Sequence, residues 1–392
     1  MVWRSRATVL LLGGIAVTIV LVLLLRGKTV DDEAVSFAQV TFAELDGWQA
    51  DDQALAFQAL LRSCGKASAK ADPDAHASNG GASICAEALA LGSRGEVGRD
   101  AARAFFEAHY TPYRVLGARK PGLVTGYYEP EVDGARERGP RFKVPVYRRP
   151  DDLVALTPDE MRARFNDRLT AMRQTSDGLV PYFTREEIDR GALEGRGLEI
   201  LYLADPVELF FMQVQGSGCV RLADGTTPRL GYAGKNGHPY TSISKLLVER
   251  GEGKARGKSM QVIKDWLRAD ALRGRRLMWK NRSYVFFQER EEEDAGPIGA
   301  QGVALTPGRS LAVDASYHAL GLPIFVDAAE LKGPDDAPFR RLMIAQDVGS
   351  AIRGPERGDI FWGSGEAAGL IAGSTLAPAR FTVLLPSPAP GA

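Results

Sequence analysis

Asp347 and Asp359 stand twelve residues apart in the run Ala345-Gln-Asp-Val-Gly-Ser-Ala-Ile-Arg-Gly-Pro-Glu-Arg-Gly-Asp-Ile-Phe-Trp-Gly-Ser-Gly-Glu366. Gly349, Gly354, Gly358, Gly363 and Gly365 forbid a long helix there and let the backbone turn tightly or approach a ligand. Carboxylates on such turns, beside Phe361 and Trp362, suit a sugar site with an acid in it; a β-turn with two Asx caps fits the same residues. Asp314, Asp347 and Asp359 each follow or interrupt an apolar strand, which puts them at strand ends where loops converge. Glu129, beside Tyr127 and Tyr128, is a fourth candidate carboxylate. Cleaving a glycosidic bond needs an acid that protonates the leaving oxygen. Burial or a neighbouring negative charge must keep that acid protonated near neutral pH.

Other chemistries are poorly served. His76, His109, His238 and His318 are scattered with no HxxxH or HExxH pair, so no metal site is expected. Gly216-Ser217-Gly218 and Gly363-Ser364-Gly365 lack the G-x-S-x-G spacing of a nucleophile elbow. Cys219 has nothing local to activate it and reads as packing within a strand. The segment Gln213-Val-Gln-Gly-Ser-Gly218 fits either a β-bulge or a binding loop whose Gln and Ser groups meet sugar hydroxyls and acetamides.

The elements that must position these residues form more than one domain. The 392 residues suffice for two sizeable cores at ~150 residues per domain. Lys+Arg and Asp+Glu both total 49, so there is no basic field for a polyanion and nucleic acid is not expected as a partner. Residues 7–25 are a nineteen-residue apolar run flanked by Arg4, Arg6, Arg26 and Lys28, which reads as an uncleaved signal anchor with the remainder exported. In an exported chain Cys64 and Cys85 either close the polar loop between them as a disulfide or remain two thiols on neighbouring helices.

Residues 37–63 carry apolar side chains at helical spacing, and a second helix spans 101–109. Residues 123–130 read as a strand entering a turn. From about 131 to 279, short β-like runs alternate with short helices. Capping boxes at Thr157 and Thr184 and an Asp205-Pro206 start mark three of these helices. A strand is expected over 214–222 and a longer helix over 259–272. Five short strands are then expected at 283–288, 311–314, 323–326, 341–345 and 380–385, a spacing typical of a small barrel.

Four blocks carry a resemblance. Gly126-Tyr-Tyr-Glu-Pro130, the run from Asp205 to Gly218, Gly231-Tyr-Ala-Gly-Lys-Asn-Gly-His-Pro-Tyr240 and the run from Gly296 to Asp314 together resemble the membrane-bound lytic murein transglycosylase A family. The segment around Asp347 and Asp359 resembles that family's 3D domain, named for three aspartates, here Asp314, Asp347 and Asp359. The resemblance runs in the same order from about residue 110 to 386.

It implies a mainly β fold: a discontinuous double-psi β-barrel domain with an inserted, smaller β-barrel domain, plus N-terminal helices and the transmembrane anchor. The implied divisions are 1–30 for the anchor, 31–130 for the helices and first barrel part, 131–279 for the insert forming the other groove wall, and 280–392 for the second barrel part. The implied activity is cleavage of the β-1,4 bond between N-acetylmuramic acid and N-acetylglucosamine in peptidoglycan, leaving 1,6-anhydromuramyl ends. No cofactor is implied, and the partner is the glycan strand. Carried over by motif, Asp359 is the catalytic acid/base, Asp347 its support and Asp314 structural, while Thr125, Gln215 and Ser217 line the saccharide groove. A silent peptidoglycan-binding protein and a hydrolase pairing Asp359 with Glu129 or Asp347 are the alternatives.

The chain departs from the family pattern twice. An apolar span replaces the lipidated N-terminal cysteine of familiar members, favouring the periplasmic face of the inner membrane over the outer membrane, and Gly349-Ser350 stands where Gly-Gly is common.

Overall fold

The computed structural model describes residues 35–70, 81–116, 122–157, 160–161, 169–251, 260–290, 296–333 and 336–388. The expected anchor at 7–25 and residues 71–80 of the loop between Cys64 and Cys85 lie outside the described residues. Among the described residues no helix is long and apolar enough to cross a membrane.

The chain opens with β1 (Ser36–Gln39), a 3-10 turn (Phe42–Glu44), α1 (Gln53–Lys70), α2 (Gly81–Gly92), α3 (Arg99–His109), β2 (Tyr110–Leu116) and β3 (Leu123–Glu129). The middle stretch holds β4 (Glu131–Ala135), β5 (Val144–Tyr147), β6 (Leu153–Ala155), β7 (Ala171–Thr175), β8 (Gly178–Pro181), α4 (Arg185–Asp189) and β9 (Glu199–Leu203). It continues through α5 (Pro206–Gln215), β10 (Ser217–Arg221), β11 (Arg229–Lys235), α6 (Ile243–Glu249), α7 (Met260–Ala269), α8 (Ala271–Met278) and β12 (Val285–Arg290). The last third is β13 (Ser310–Val313), β14 (Pro323–Lys332), β15 (Pro338–Val348), β16 (Arg357–Ser364), α9 (Gly365–Ser374), β17 (Leu376–Pro378) and β18 (Arg380–Pro386).

A nine-stranded sheet, in the order β1-β2-β18-β14-β15-β13-β16-β3-β17, combines strands from both ends of the chain. A six-stranded sheet, β12-β11-β10-β4-β9-β5, and a three-stranded one, β6-β7-β8, come wholly from the middle. The mainly β expectation therefore holds. The helices α1–α3 close one face of the large sheet, burying Trp48, Phe57, Phe105 and Phe106 against Phe325, Leu342 and Ile344. Each such side chain contributes roughly 1.5–3 kcal/mol by leaving water.

Several local expectations are corrected. Residues 37–63 are not one helix. Gly47 adopts φ +83, and a side chain there would meet Arg340, so the helical turn breaks and only Gln53 onward is α1. Trp48 plugs the core from that turn, and its apolar spacing mimics a helix. The strand expected at 214–222 is a helix end followed by a strand. The Asp205 cap and Pro206 start α5, which runs through Gln215, and Gly216 at φ 88 ends it in the left-handed region. The helix expected at 259–272 divides at Asp270, whose side chain caps α8 by accepting from Leu272 and Arg273. The strand expected at 283–288 is β12, and it pairs with β11 in the six-stranded sheet rather than joining the returning strands. Its alternation identifies a strand but not the sheet that receives it.

Cys64 and Cys85 form a disulfide joining α1 to α2 across 21 positions. On the chain-entropy model, replacing both by serine is expected to cost about 3 kcal/mol in urea unfolding. A loss below about 1 kcal/mol would show that helix packing alone sets this contact.

Candidate active site

The large sheet places one residue from each of five adjacent strands in a single row. Ala312 of β13 is level with Asp347 of β15 on one side and Asp359 of β16 on the other. Asp359 is in turn level with Thr125 of β3, and Thr125 with Leu376 of β17. In-register residues on neighbouring strands point to the same side, and all five line a cavity of about 530 Å³. Two strand spacings separate the aspartates, about 10 Å between their backbones.

A bulge makes this row possible. Leu311 pairs with Ala345, but Ala312 pairs with Asp347, so Gln346 is an extra residue on β15. Without it, the strand's alternation would turn Asp347 to the opposite face. The fully buried Gln346 amide fixes the bulge, donating to Ala59 O at 2.8 Å and Ser63 Oγ at 2.9 Å on α1. Its Oε1 accepts from Ser310 Oγ at 2.6 Å.

The two aspartates have different surroundings. Both Asp347 oxygens are occupied: Oδ1 accepts from the backbone N–H of Ala300 and of Val348, each at 2.9 Å, and Oδ2 accepts from Tyr127 Oη at 2.8 Å. Burial raises its pKa above the ordinary carboxylate value, against the pull of these donors. Asp359 has one hydrogen bond among the described residues, from Thr125 Oγ1 to Oδ1 at 2.6 Å. Burial pushes its pKa up to about 6, with Asp347 adding to the rise while Thr125 and Arg357 oppose it. Arg357 Nη2 donates to Thr125 Oγ1 at 2.7 Å, so that hydroxyl accepts from arginine and is turned to donate to Asp359.

Asp314 is ionised more readily than an ordinary aspartate. Its burial raises the pKa, but N–H bonds from Gly354 and Ser316, the Ser316 hydroxyl and Arg353 together outweigh it. The Ser316 bond, at 3.2 Å, closes the turn at the exit of β13, and the Gly354 bond, at 2.9 Å, ties that exit to the loop whose Gly349, Ala351 and Ile352 edge the cavity.

The facing wall is supplied by helices of the middle stretch rather than by its strands: Phe210, Phe211, Val214 and Gln215 of α5, Ile243 and Val248 of α6, and Met260 and Ile263 of α7. Gln215 accepts from Tyr128 N–H at 3.0 Å through Oε1, clipping α5 to β3 beside the row. Ser217 begins β10, opposite Gly231, and is not among the residues lining the cavity. Gly216 has turned the chain away before it.

The expected aromatic surface is also elsewhere. Phe361 and Trp362 are core residues, packed on Tyr127 and Phe339 respectively. The cavity's rings are Tyr127, Phe210, Phe211 and Tyr240. Glu129 is fully buried away from the cavity, held by Ser364 Oγ at 2.7 Å and Arg229 at 3.2 Å, and so does not pair with Asp359.

The sequence assigns no role to Arg357, and it presents Tyr127 and Tyr240 only as members of motifs. Arg357 shares the face of Asp359 two positions away on one strand, a signal that a strand assignment would have revealed. Tyr127 is raised well above the ordinary phenol value by burial and then by Asp347, so it remains a proton donor to that carboxylate.

The MltA specific insert domain matches residues 123–288, and the 3D domain matches residues 309–385. The membrane-bound lytic murein transglycosylase A of Vibrio cholerae is 35% identical over 265 residues, 66% of this chain and 64% of that protein. That of Escherichia coli K12 is 34% identical over 287 residues, 71% of this chain and 70% of that protein. The crystal structure of the membrane-bound lytic murein transglycosylase from Agrobacterium tumefaciens is similar at TM-score 0.80 and 38% identity, covering 90% of this chain and 98% of that one. Escherichia coli MltA with bound chitohexaose is similar at TM-score 0.63 and 28% identity, covering 85% and 90%. Identity at this level, over more than two thirds of the Escherichia coli K12 protein and nearly all of the Agrobacterium one, means that the chain belongs to the membrane-bound lytic murein transglycosylase A family.

Proposed function

We infer that this chain is a lytic transglycosylase that cleaves the β-1,4 bond between N-acetylmuramic acid and N-acetylglucosamine in peptidoglycan. The observation that carries the mechanism is that the cavity offers one carboxylate with capacity to spare. Asp359 keeps Oδ2 without a protein partner among the described residues, whereas both Asp347 oxygens are taken. A hydrolase working through two carboxylates needs them ~5–5.5 Å or ~6.5–9.5 Å apart, each able to act on a proton or a carbon. With an internal nucleophile, one group suffices. Asp359 gives its proton to the leaving O4 as the C1–O4 bond breaks. It then takes the proton from the muramyl 6-hydroxyl as O6 bonds to C1 and closes the anhydro ring. Its pKa of about 6 keeps a usable fraction protonated near neutral pH.

In this reading Asp347 is a positioning residue that fixes Tyr127 and adds negative charge, and Asp314 shapes the cavity's loop. Thr125 directs Asp359, and the Gln215 amide nitrogen is available to a sugar hydroxyl. Ser217, at the start of β10 two positions beyond Gln215, is carried as a groove residue outside this cavity. The large sheet with its flanking strands corresponds to a double-psi barrel split around the middle stretch. Residues 7–25 serve as the anchor that holds the enzyme at the periplasmic face of the inner membrane.

Mass spectrometry of murein digested by the detergent-solubilised chain tests the reaction. Anhydromuropeptides are the expected products. Reducing muropeptides would replace this reading with hydrolysis, and intact murein with bound protein would leave a binding module.

A further inference from the structure

Beside the cavity-lining loop 349–352 lie cations that the reaction on the glycan does not use. Lys235, at the end of β11, is half-buried, and its Nζ donates to Ser350 Oγ at 3.2 Å. Ser350 lies three positions after Asp347, between the cavity-lining Gly349 and Ala351. This contact therefore crosses from the six-stranded sheet to the catalytic one. Among the described residues Lys235 has no carboxylate within ion-pair distance. Its charged neighbour is the mostly exposed Arg353, which reaches Asp314 at 3.5 Å. The stem of Arg149 lies beside the same strand end, where a side chain added at Gly234 would meet its Cδ at 3.3 Å. Burial first, and the Arg353 charge second, hold the Lys235 ammonium below the ordinary lysine value. Arg353 already has Asp314 as a partner, whereas Lys235 has a second cation beside it and no carboxylate; an ammonium so placed is unfavourable by itself and becomes favourable when a carboxylate arrives.

The substrate carries such a group. The sugar whose C1 reacts is muramic acid, and its C3 lactyl group carries a peptide whose residues bear free carboxylates. That peptide must leave the groove within one sugar ring of Asp359. We propose that Lys235 and Arg353, backed by Arg149, form a rim that binds a carboxylate of this peptide, so that the enzyme favours peptide-bearing glycan over bare glycan. This deepens the transglycosylase reading and rests on it.

The test compares murein with the same glycan strands after an amidase has removed the peptides, using the full chain in detergent. Wild type is expected to show kcat/KM about tenfold higher on the peptide-bearing substrate. The Lys235→Gln/Arg353→Gln variant should erase that preference, mainly through KM, and Lys235→Arg should keep it. High salt should narrow the preference in wild type. A wild type without the preference, or a double variant that loses activity in parallel on both substrates, overturns the proposal. If the double variant melts early, Lys235→Gln alone, which removes one surface hydrogen bond, makes the same comparison. Absence of anhydro products from either substrate with wild type would instead remove the transglycosylase reading beneath it.

Discussion

Replacing Asp359 by asparagine is expected to lower glycan cleavage by roughly 10²–10⁴-fold while glycan binding persists, because an amide neither gives nor takes the proton. Turnover and chitooligosaccharide binding, measured on the same preparation, check both halves. Substantial residual turnover would move the proton transfer elsewhere. Asp347→Asn should reduce activity less, since the amide oxygen still accepts from Tyr127 or from the backbone donors. The acid must be protonated to act, so activity of the wild type should fall as pH rises through about 6. Thr125 hydrogen-bonds to Asp359 and favours its charged form, so Thr125→Val should shift that fall to higher pH. The same carboxylate weakens the fold. Its folded pKa lies above its unfolded one, so its stabilising effect is full below about pH 4 and is lost as pH rises through about 6. The asparagine variant should therefore gain thermal stability relative to wild type above pH 6.

The second large effect concerns stability. Arg309 and Asp51 form a pair in which each side chain is only 2% exposed, with Nη2 and Oδ1 2.8 Å apart. Asp51 also accepts from Leu342 N–H, and Arg309 donates to Leu342 O. Arg309→Met leaves a buried carboxylate uncompensated and should cost about 3–5 kcal/mol. A combined Asp51→Leu/Arg309→Met change should recover much of that. Urea unfolding of the single and double variants decides the matter, and equal losses in both would show that packing, not charge, is what the pair provides.

What was legible in the sequence was chemistry more than geometry. Capping residues announced α4 and α5 because Thr184 and Asp205 act on their own neighbours. The aspartates were recognisable, but β16 and α9 were not, since Gly358, Gly363 and Gly365 read as turns. Gly358 is tolerated in the strand because Phe381 and Leu311 press against it, a long-range contact with no local signature. The Gln346 bulge was hidden for the same reason, since the groups that hold it come from α1 and from Ser310. Phe361 and Trp362 were placed at the sugar because aromatic residues near acids suggest it. On β16 these consecutive residues face opposite sides of the sheet, and each side is already packed: Phe361 against Tyr127, and Trp362 against Phe339.

The row across the sheet also dictates an order of assembly. Thr125 and Asp359, bonded to each other, lie 234 residues apart, and Gln346 reaches 283 residues back to Ser63. Contacts this distant form slowly, after local structure, because a long loop must close first. A chain emerging from its N-terminus therefore carries Thr125 long before any acid is beside it. On the proposed mechanism the acid becomes usable only when β16 has returned past the whole inserted stretch, so the capacity to act on glycan is withheld until that strand is in place.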